Sequence, residues 1–254
     1  MNRPRVGVSY RFDARANPVK RRLFRAMEAW ADVVRLDAFE AHPDLWRYDL
    51  DCLHVARCTP ASLADMRRAD LAGVRTVNAA DGARLACDRL ARGRLLRDLG
   101  VRVPRFEWGP AGAISLDLPV IAKRRYEFVD ADHDHRVIDG GPIDFAGERF
   151  VEALVSDGVP YKCYRIGEAT CVVSADDEAD PRPVDPPPGT VDLVRRVSDA
   201  LGLALCEVDV LRVERGPPYV VDVNPAVSLR GVPDGGALYE SFLREEAARG
   251  VSTS

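Results

Sequence analysis

Two aspartates and an asparagine late in the chain interrupt segments that otherwise read as buried strand. Asp209 lies within 205–213, and Asp222 and Asn224 lie within "YVVDVNP", residues 219–225. A strand turns successive side chains to opposite faces, so Asp222 and Asn224, two positions apart, share a face. If the two segments pair around the turn at 214–217, Asp209 faces the same side. Two carboxylates and an amide oxygen at a strand end form a hard, oxygen-rich site suited to Mg²⁺. Magnesium with few protein ligands completes its shell with water and phosphate oxygens, which points to a nucleotide. Taken singly, each residue also fits a solvated strand edge or an Asn-Pro turn; the apolar flanks of both segments favour the joint site.

The elements that would position these residues begin with an alternation of strands and helices. Strands are predicted at 6–9, 33–36, 51–56 and 74–77, with helices over 19–32 and 62–69, a pattern that argues a small parallel α/β unit. One long helix is predicted from a start at 78–81 to Leu99, closed by Gly100. Strand-like pieces follow at 120–122, 150–155, 161–166 and 170–173. The stretch 180–189, "DPRPVDPPPG", holds five prolines in ten residues and reads as an exposed, stiffened loop. An amphipathic helix is predicted over 190–201 and a final helix over about 236–248.

Composition narrows the function classes. The 254 residues suffice for one large domain or a few small ones, with 46% hydrophobic and 30% charged residues. A net charge of −4 offers no broad basic surface, so nucleic acid is not expected as a partner. No apolar run reaches the ~20 residues of a membrane span and no signal-peptide core is present, so a cytoplasmic protein is expected. The six cysteines (52, 58, 87, 163, 171, 206) lack zinc-ligand spacing and read as small buried hydrophobes in a reducing compartment. The richness in Ala, Arg, Asp and Val is that of a high-GC, bacterial-type genome.

The ordered segments "TVNAADGARLACDRLARGRLLRDLGVRVPRF", "PVIAKRR", "FVEALVSDGVPYKCYRIGE" and "LGLALCEVDVLRVERGPPYVVDVNP" resemble the ATP-grasp superfamily from Asn78 to about Gly231. The resemblance implies an α/β ATP-grasp fold behind an N-terminal parallel α/β domain. The implied parts are an N-terminal domain at 1–78, a linking helix at 79–104, a small lid subdomain at 105–149 and a C-terminal subdomain at 150–254 with the Mg·ATP site. It implies Asp209, Asp222 and Asn224 as Mg²⁺ ligands and Lys123 and Arg89 as contacts to ATP phosphates. Glu152 with the Ala153 and Leu154 backbone would hold adenine. Lys162 would meet the transferred phosphate or the substrate, with Arg165 as a further candidate although alternation turns it to the other face.

Two branches of the superfamily are in view. One is the ribosomal-protein and peptide glutamate-ligase type, in which the acceptor is a carboxylate, on a small molecule or peptide, that forms an acylphosphate and then an amide. The other is the inositol trisphosphate 5/6-kinase branch, suggested by "PYKCYRIGE", the Asp of "DVNP" and "LRGV"; a non-catalytic nucleotide-binding protein is a third possibility. Ligation is expected, because among compact chains of this kind it is the commoner activity. The segment after Lys123, "RRYEFVDADHDHRVIDGG", replaces the small glycine-rich closure of the ligases. The loop 131–136 is expected to close over nucleotide, and its His133 and His135 read as solvated or as substrate-anion contacts rather than a metal pair.

Overall fold

The structure is a computed structural model that describes residues 3–13, 17–128, 135–177 and 181–251. His133 and most of the proposed closing loop lie outside the described residues.

The predicted α/β unit is present. β1 (Arg5–Tyr10), β2 (Asp32–Asp37), β3 (Cys52–Val55) and β4 (Arg75–Val77) form a parallel sheet in the order β2-β1-β3-β4. α1 (Pro18–Met27) connects β1 to β2, and α2 (Pro60–Leu71) connects β3 to β4. Asn17 starts α1 by accepting from the Val19 and Lys20 amides, and Pro18 occupies the first turn, where its missing N–H costs nothing. Leu23, Phe24 and Met27 of α1 then bury against Val6 and Val8 of β1.

The single helix predicted from 78–81 to Leu99 is two. α3 (Ala80–Cys87) and α4 (Arg89–Asp98) meet at Asp88, which is extended at φ −96° and ψ 98°. The break has a physical cause. The Asp88 carboxylate accepts from the Leu90 and Ala91 amides and so caps α4. The backbone on either side is engaged by an incoming segment: Arg89 N–H donates to the Arg125 carbonyl and Glu127 N–H to the Cys87 carbonyl, both at 2.9 Å. Arg125 also forks onto the Asp88 carboxylate at 2.7 and 2.9 Å.

That incoming segment leaves the second sheet, built of β5 (Phe106–Pro110), β6 (Val120–Lys123), β7 (His135–Ile138) and β8 (Glu148–Ala153) in the antiparallel order β5-β8-β6-β7. β8 completes this sheet, so the small unit extends to Ala153 rather than ending at 149. β5 and β7 carry no alternating pattern and are not among the predicted strands.

The third sheet holds β9 (Val159–Ile166), β10 (Ala169–Ser174), β11 (Arg182–Pro183), β12 (Leu205–Arg212) and β13 (Tyr219–Asn224) in the order β11-β10-β9-β12-β13. The proline-rich stretch contributes only the two-residue edge strand β11, a position that tolerates a residue without an N–H. α5 (Thr190–Ala200) packs Val194 and Val197 on Cys163, Cys206, Val208 and Val223, so one face of β9, β12 and β13 is core. The opposite face carries the site.

α6 (Gly235–Val251), which follows the third sheet in sequence, packs on β9 of that sheet and crosses back to cover the first. Tyr239, Phe242, Leu243 and Ala247 share a core with Val6, Val8 and Phe24. Tyr239 Oη lies 2.7 Å from His54 Nε2, and Glu246 pairs with Arg75 at 2.5 Å. All six cysteines are free thiols, and no described helix is long and apolar enough to cross a membrane. Gly250 sets how closely α6 approaches: a Cβ there would lie 2.1 Å from the Asp51 carbonyl oxygen. Gly250→Ala is therefore expected to destabilise the protein by about 1–3 kcal/mol, read as a fall of several degrees in the melting temperature by circular dichroism.

Candidate nucleotide and metal site

Strand register assembles the site. Lys162 of β9 is directly opposite Asp209 of β12, and Asp209 is directly opposite Asp222 of β13. Two residues along, Tyr164, Glu207 and Asn224 form a second row on the same face. A bulge between Asp209 and Val210 absorbs one extra residue in β13 and keeps Asp222 opposite Asp209.

The charges within the rows are matched. Lys162 Nζ lies 2.9 Å from Glu207 Oε1 and 3.3 Å from Asp209 Oδ1. Burial alone would lower the Lys162 ammonium, but Asp209 and Glu207 hold it above the usual range. Burial pushes the Asp209 carboxyl up to about 7 despite Lys162. Asp222 goes the other way: burial opposes its charge, but Arg92, Arg89 and Lys123 together outweigh that and hold it below the usual carboxylate range. Arg92 donates to an Asp222 carboxylate oxygen and, from its other terminal nitrogen, to the Ala86 and Val223 carbonyls at 2.7 and 2.8 Å. Asn224 Oδ1 accepts from the Ala226 amide at 2.8 Å, so the residue forms the Asn-Pro turn at the end of its row.

α4 and the second sheet bring the remaining cations. Arg89 is 3.3 Å from Glu127 and donates to the Arg124 carbonyl, while its buried Nε has no hydrogen-bond partner. Lys123 pairs with Glu152 at 2.5 Å, and His135 is opposite Lys123 in the strand register. Burial, then the Asp222 charge, raises the Glu127 carboxyl to about 7, against the pull of Arg89 and Arg92. A narrow cleft lined by Arg89, Arg92, Phe106, Phe150, Glu152 and Asp222 separates α4 from β8 and β13.

Two predicted contributions differ. Arg165 lies on the far face of β9, where its guanidinium bonds Ser198 and Asp199 of α5 and Gly167 O; the period of two turns it away from Lys162. The amides of Ala153 and Leu154 donate to the Arg105 and Pro119 carbonyls at 2.8 and 2.9 Å, so neither N–H is left to meet a base. Three site residues are additional to the predicted set: Glu207, Arg92 and Glu127. Glu207 was readable, since it precedes Asp209 by two in the same strand. Arg92 follows Arg89 by one helical turn, but only the fold shows that this face meets Asp222. Glu127 carries no local signal.

The donor set can be tested against Mg²⁺. Among the described residues no three His, Cys, Asp or Glu side chains converge into a cage that would hold a metal alone. Two carboxylates in register with an amide oxygen beside them suit an ion that takes its other ligands from phosphate and water. The flanking cations, including the unpartnered Arg89 Nε, suit those phosphates. The residues present fit Mg²⁺ with a nucleotide.

No protein-family model and no curated protein matches the sequence. Solved structures do match in fold. D-alanine–D-alanine ligase from Bacillus anthracis is 14% identical, with 98% of each chain covered and a TM-score of 0.73. A RimK domain ATP-grasp protein from Sphaerobacter thermophilus is 19% identical over 94% of this chain and 98% of its own, at 0.75. The ATP-grasp ligase PsnB with precursor peptide PsnA2 and AMPPNP is 14% identical over 97% and 99%, at 0.66. The chain has the ATP-grasp fold.

The Asp209 carboxyl gives the site a pH signature. Its folded value of about 7 lies above its unfolded value near 3.8, so the folded state holds the extra proton and loses stability as pH rises between them. In metal-free buffer, the stability of Asp209→Asn relative to wild type is expected to rise by about 2 kcal/mol from pH 4 to pH 7, measured by urea unfolding.

Proposed function

From the ATP-grasp fold and this site, we infer that the chain is an Mg²⁺- and ATP-dependent carboxylate–amine ligase acting on a small acid or peptide. The observation that carries the proposal is the row Lys162–Asp209–Asp222, in register across three strands and flanked by Arg89, Arg92 and Lys123. Asp209, Asp222 and Asn224 would hold Mg²⁺. When bound, Mg²⁺ neutralises phosphate oxygens and aligns the terminal phosphoryl group. Arg89 and Lys123 would release Glu127 and Glu152 to meet phosphates, and Glu152 with the hinge carbonyls would border the base. Lys162 would follow the phosphoryl group as it moves to the acceptor carboxylate. The γ-phosphorus–oxygen bond breaks and ADP leaves; the acylphosphate then accepts the amine at its acyl carbon, and phosphate departs.

Glu207 is buried beside Lys162 and accepts from the Ser228 amide and hydroxyl at 3.0 and 2.8 Å, which fixes its carboxylate next to the cation assigned to the moving phosphoryl group. Two of the structural neighbours are ligases by name, and one was solved with a peptide, which supports a carboxylate-bearing acceptor. The free thiols suit a reducing, cytoplasmic setting.

Asp222→Ala is expected to weaken Mg²⁺-dependent AMPPNP binding at least 100-fold in calorimetry; unchanged affinity would remove the metal assignment. Lys162→Met should lower ADP release about 10²–10³-fold with little change in nucleotide affinity. In a screen of acid–amine pairs, ligation releases ADP and phosphate together. A phosphorylated product without free phosphate would identify a kinase instead.

A further inference from the structure

The segment that follows Asn224 is fastened to the rest of the protein at one residue. Ser228 donates from its amide and its hydroxyl to Glu207 Oε2, at 3.0 and 2.8 Å. A carboxylate only accepts, so the hydroxyl proton is committed there and Ser228 Oγ is left to receive the Tyr164 O–H at 2.9 Å. The Ser228 carbonyl accepts from the Asn17 side chain at 3.3 Å. Amide, hydroxyl and carbonyl are thus each engaged, by partners from the cap of α1, from β9 and from β12.

The neighbouring backbone depends on this fastening. Leu229 is 3% exposed and has φ 59°, in the left-handed region that residues other than glycine rarely adopt. Such a conformation persists where its surroundings over-determine it, and residues of this kind gather at sites where position matters. Val227 and Leu229 are pinned in the core shared with Tyr164, Tyr239 and Phe242. Gly231 passes so close to the proline-rich stretch that a Cβ would lie 2.4 Å from the Pro181 carbonyl oxygen. The segment 226–231 is thereby held against the row of Tyr164, Glu207 and Asn224.

Glu207 divides its two oxygens. Oε2 holds Ser228, while Oε1 accepts from Lys162 Nζ at 2.9 Å. The residue is 6% exposed, so water competes poorly for either bond. Lys162 carries its ammonium on a flexible four-carbon stem with rotatable donors. Its contacts to Asp209 are longer, at 3.3 and 3.4 Å, so its shortest hydrogen bond runs to the carboxylate that also holds the segment.

We propose that Ser228 is a positioning residue for phosphoryl transfer: through Glu207 it ties the segment 226–231 to Lys162, so the lysine takes its working position only when that segment is seated. This rests on the ligation reading, in which Lys162 follows the phosphoryl group. Ser228 acts through Glu207 and not on the phosphoryl group itself.

The tie is read first without substrate, by hydrogen exchange over 226–231 in the full chain, followed by mass spectrometry. Coupling is reciprocal, so Lys162→Met should speed exchange in this segment several-fold, and Lys123→Met should not. Equal exchange in wild type and Lys162→Met overturns the proposal. If Lys162→Met does not fold, unchanged exchange in Glu207→Gln overturns it. The second measurement is ADP release with an acid–amine pair found in the screen. Ser228→Ala should lower kcat about tenfold, the scale of one hydrogen bond to a charged group, and leave KM for ATP within about twofold. Ser228→Thr, which keeps the hydroxyl, should restore most of the loss. In a Glu207→Gln background Ser228→Ala should cost nothing more, because the two act as one unit. Additive losses, or a loss confined to KM, mean a structural role alone and overturn the proposal. If the wild type releases no ADP with any pair, the ligase reading falls, and exchange at 226–231 still decides whether Ser228 and Lys162 are tied.

Discussion

Two carboxylates held directly opposite each other on neighbouring strands repel, and the fold around Asp209 and Asp222 answers that repulsion. Lys162 extends the row on one side, and Arg92 reaches Asp222 from α4 on the other. Arg92 can do so only because α4 begins where it does. That start depends on Asp88 breaking the helix and on the segment at 125–127 docking across the break. The second sheet, α4 and the third sheet are thus joined by the charges they bring together. An apolar face packed on α5 completes the arrangement by fixing the register from behind.

The pairing has a functional sense. Each site cation rests on a carboxylate: Arg89 on Glu127, Arg92 on Asp222, Lys123 on Glu152, and Lys162 on Glu207 and Asp209. A cation and a polyanion entering together can exchange with these pairs, the metal taking carboxylates and the phosphates taking lysine and arginine. On the proposed reading the site would stay neutralised before and after binding, with no buried charge left without a partner.

Much of this was legible in the sequence, and what was not has identifiable causes. The period of two aligned Asp222 with Asn224, and pairing across the turn at 214–217 added Asp209, because strand geometry is local once the partner is guessed. The same period turned Arg165 to the face opposite Lys162; it was kept as a candidate all the same, and the structure pairs it with α5 instead. Glu207 obeyed the rule as plainly but drew no notice, as a lone glutamate has no signature of its own. The helix break at Asp88 was hidden inside a run of good helix formers. Its cause is tertiary, the docking of Arg125 and Glu127, and no local pattern encodes that contact. Arg92 and the engaged amides of Ala153 and Leu154 were unreadable for the same reason: their partners are remote in the chain.

α6 has a further consequence for how the protein is made. The helix covers a sheet whose strands all lie within the first 77 residues, yet its own residues begin at Gly235. During synthesis the apolar surface of β1 and β3 that faces Tyr239, Phe242 and Leu243 emerges long before its cover. This sheet is therefore translated well before the helix that completes it. An unfinished chain on the ribosome exposes a sticky parallel sheet, and a nascent chain cut short before Gly235 carries that exposure for good.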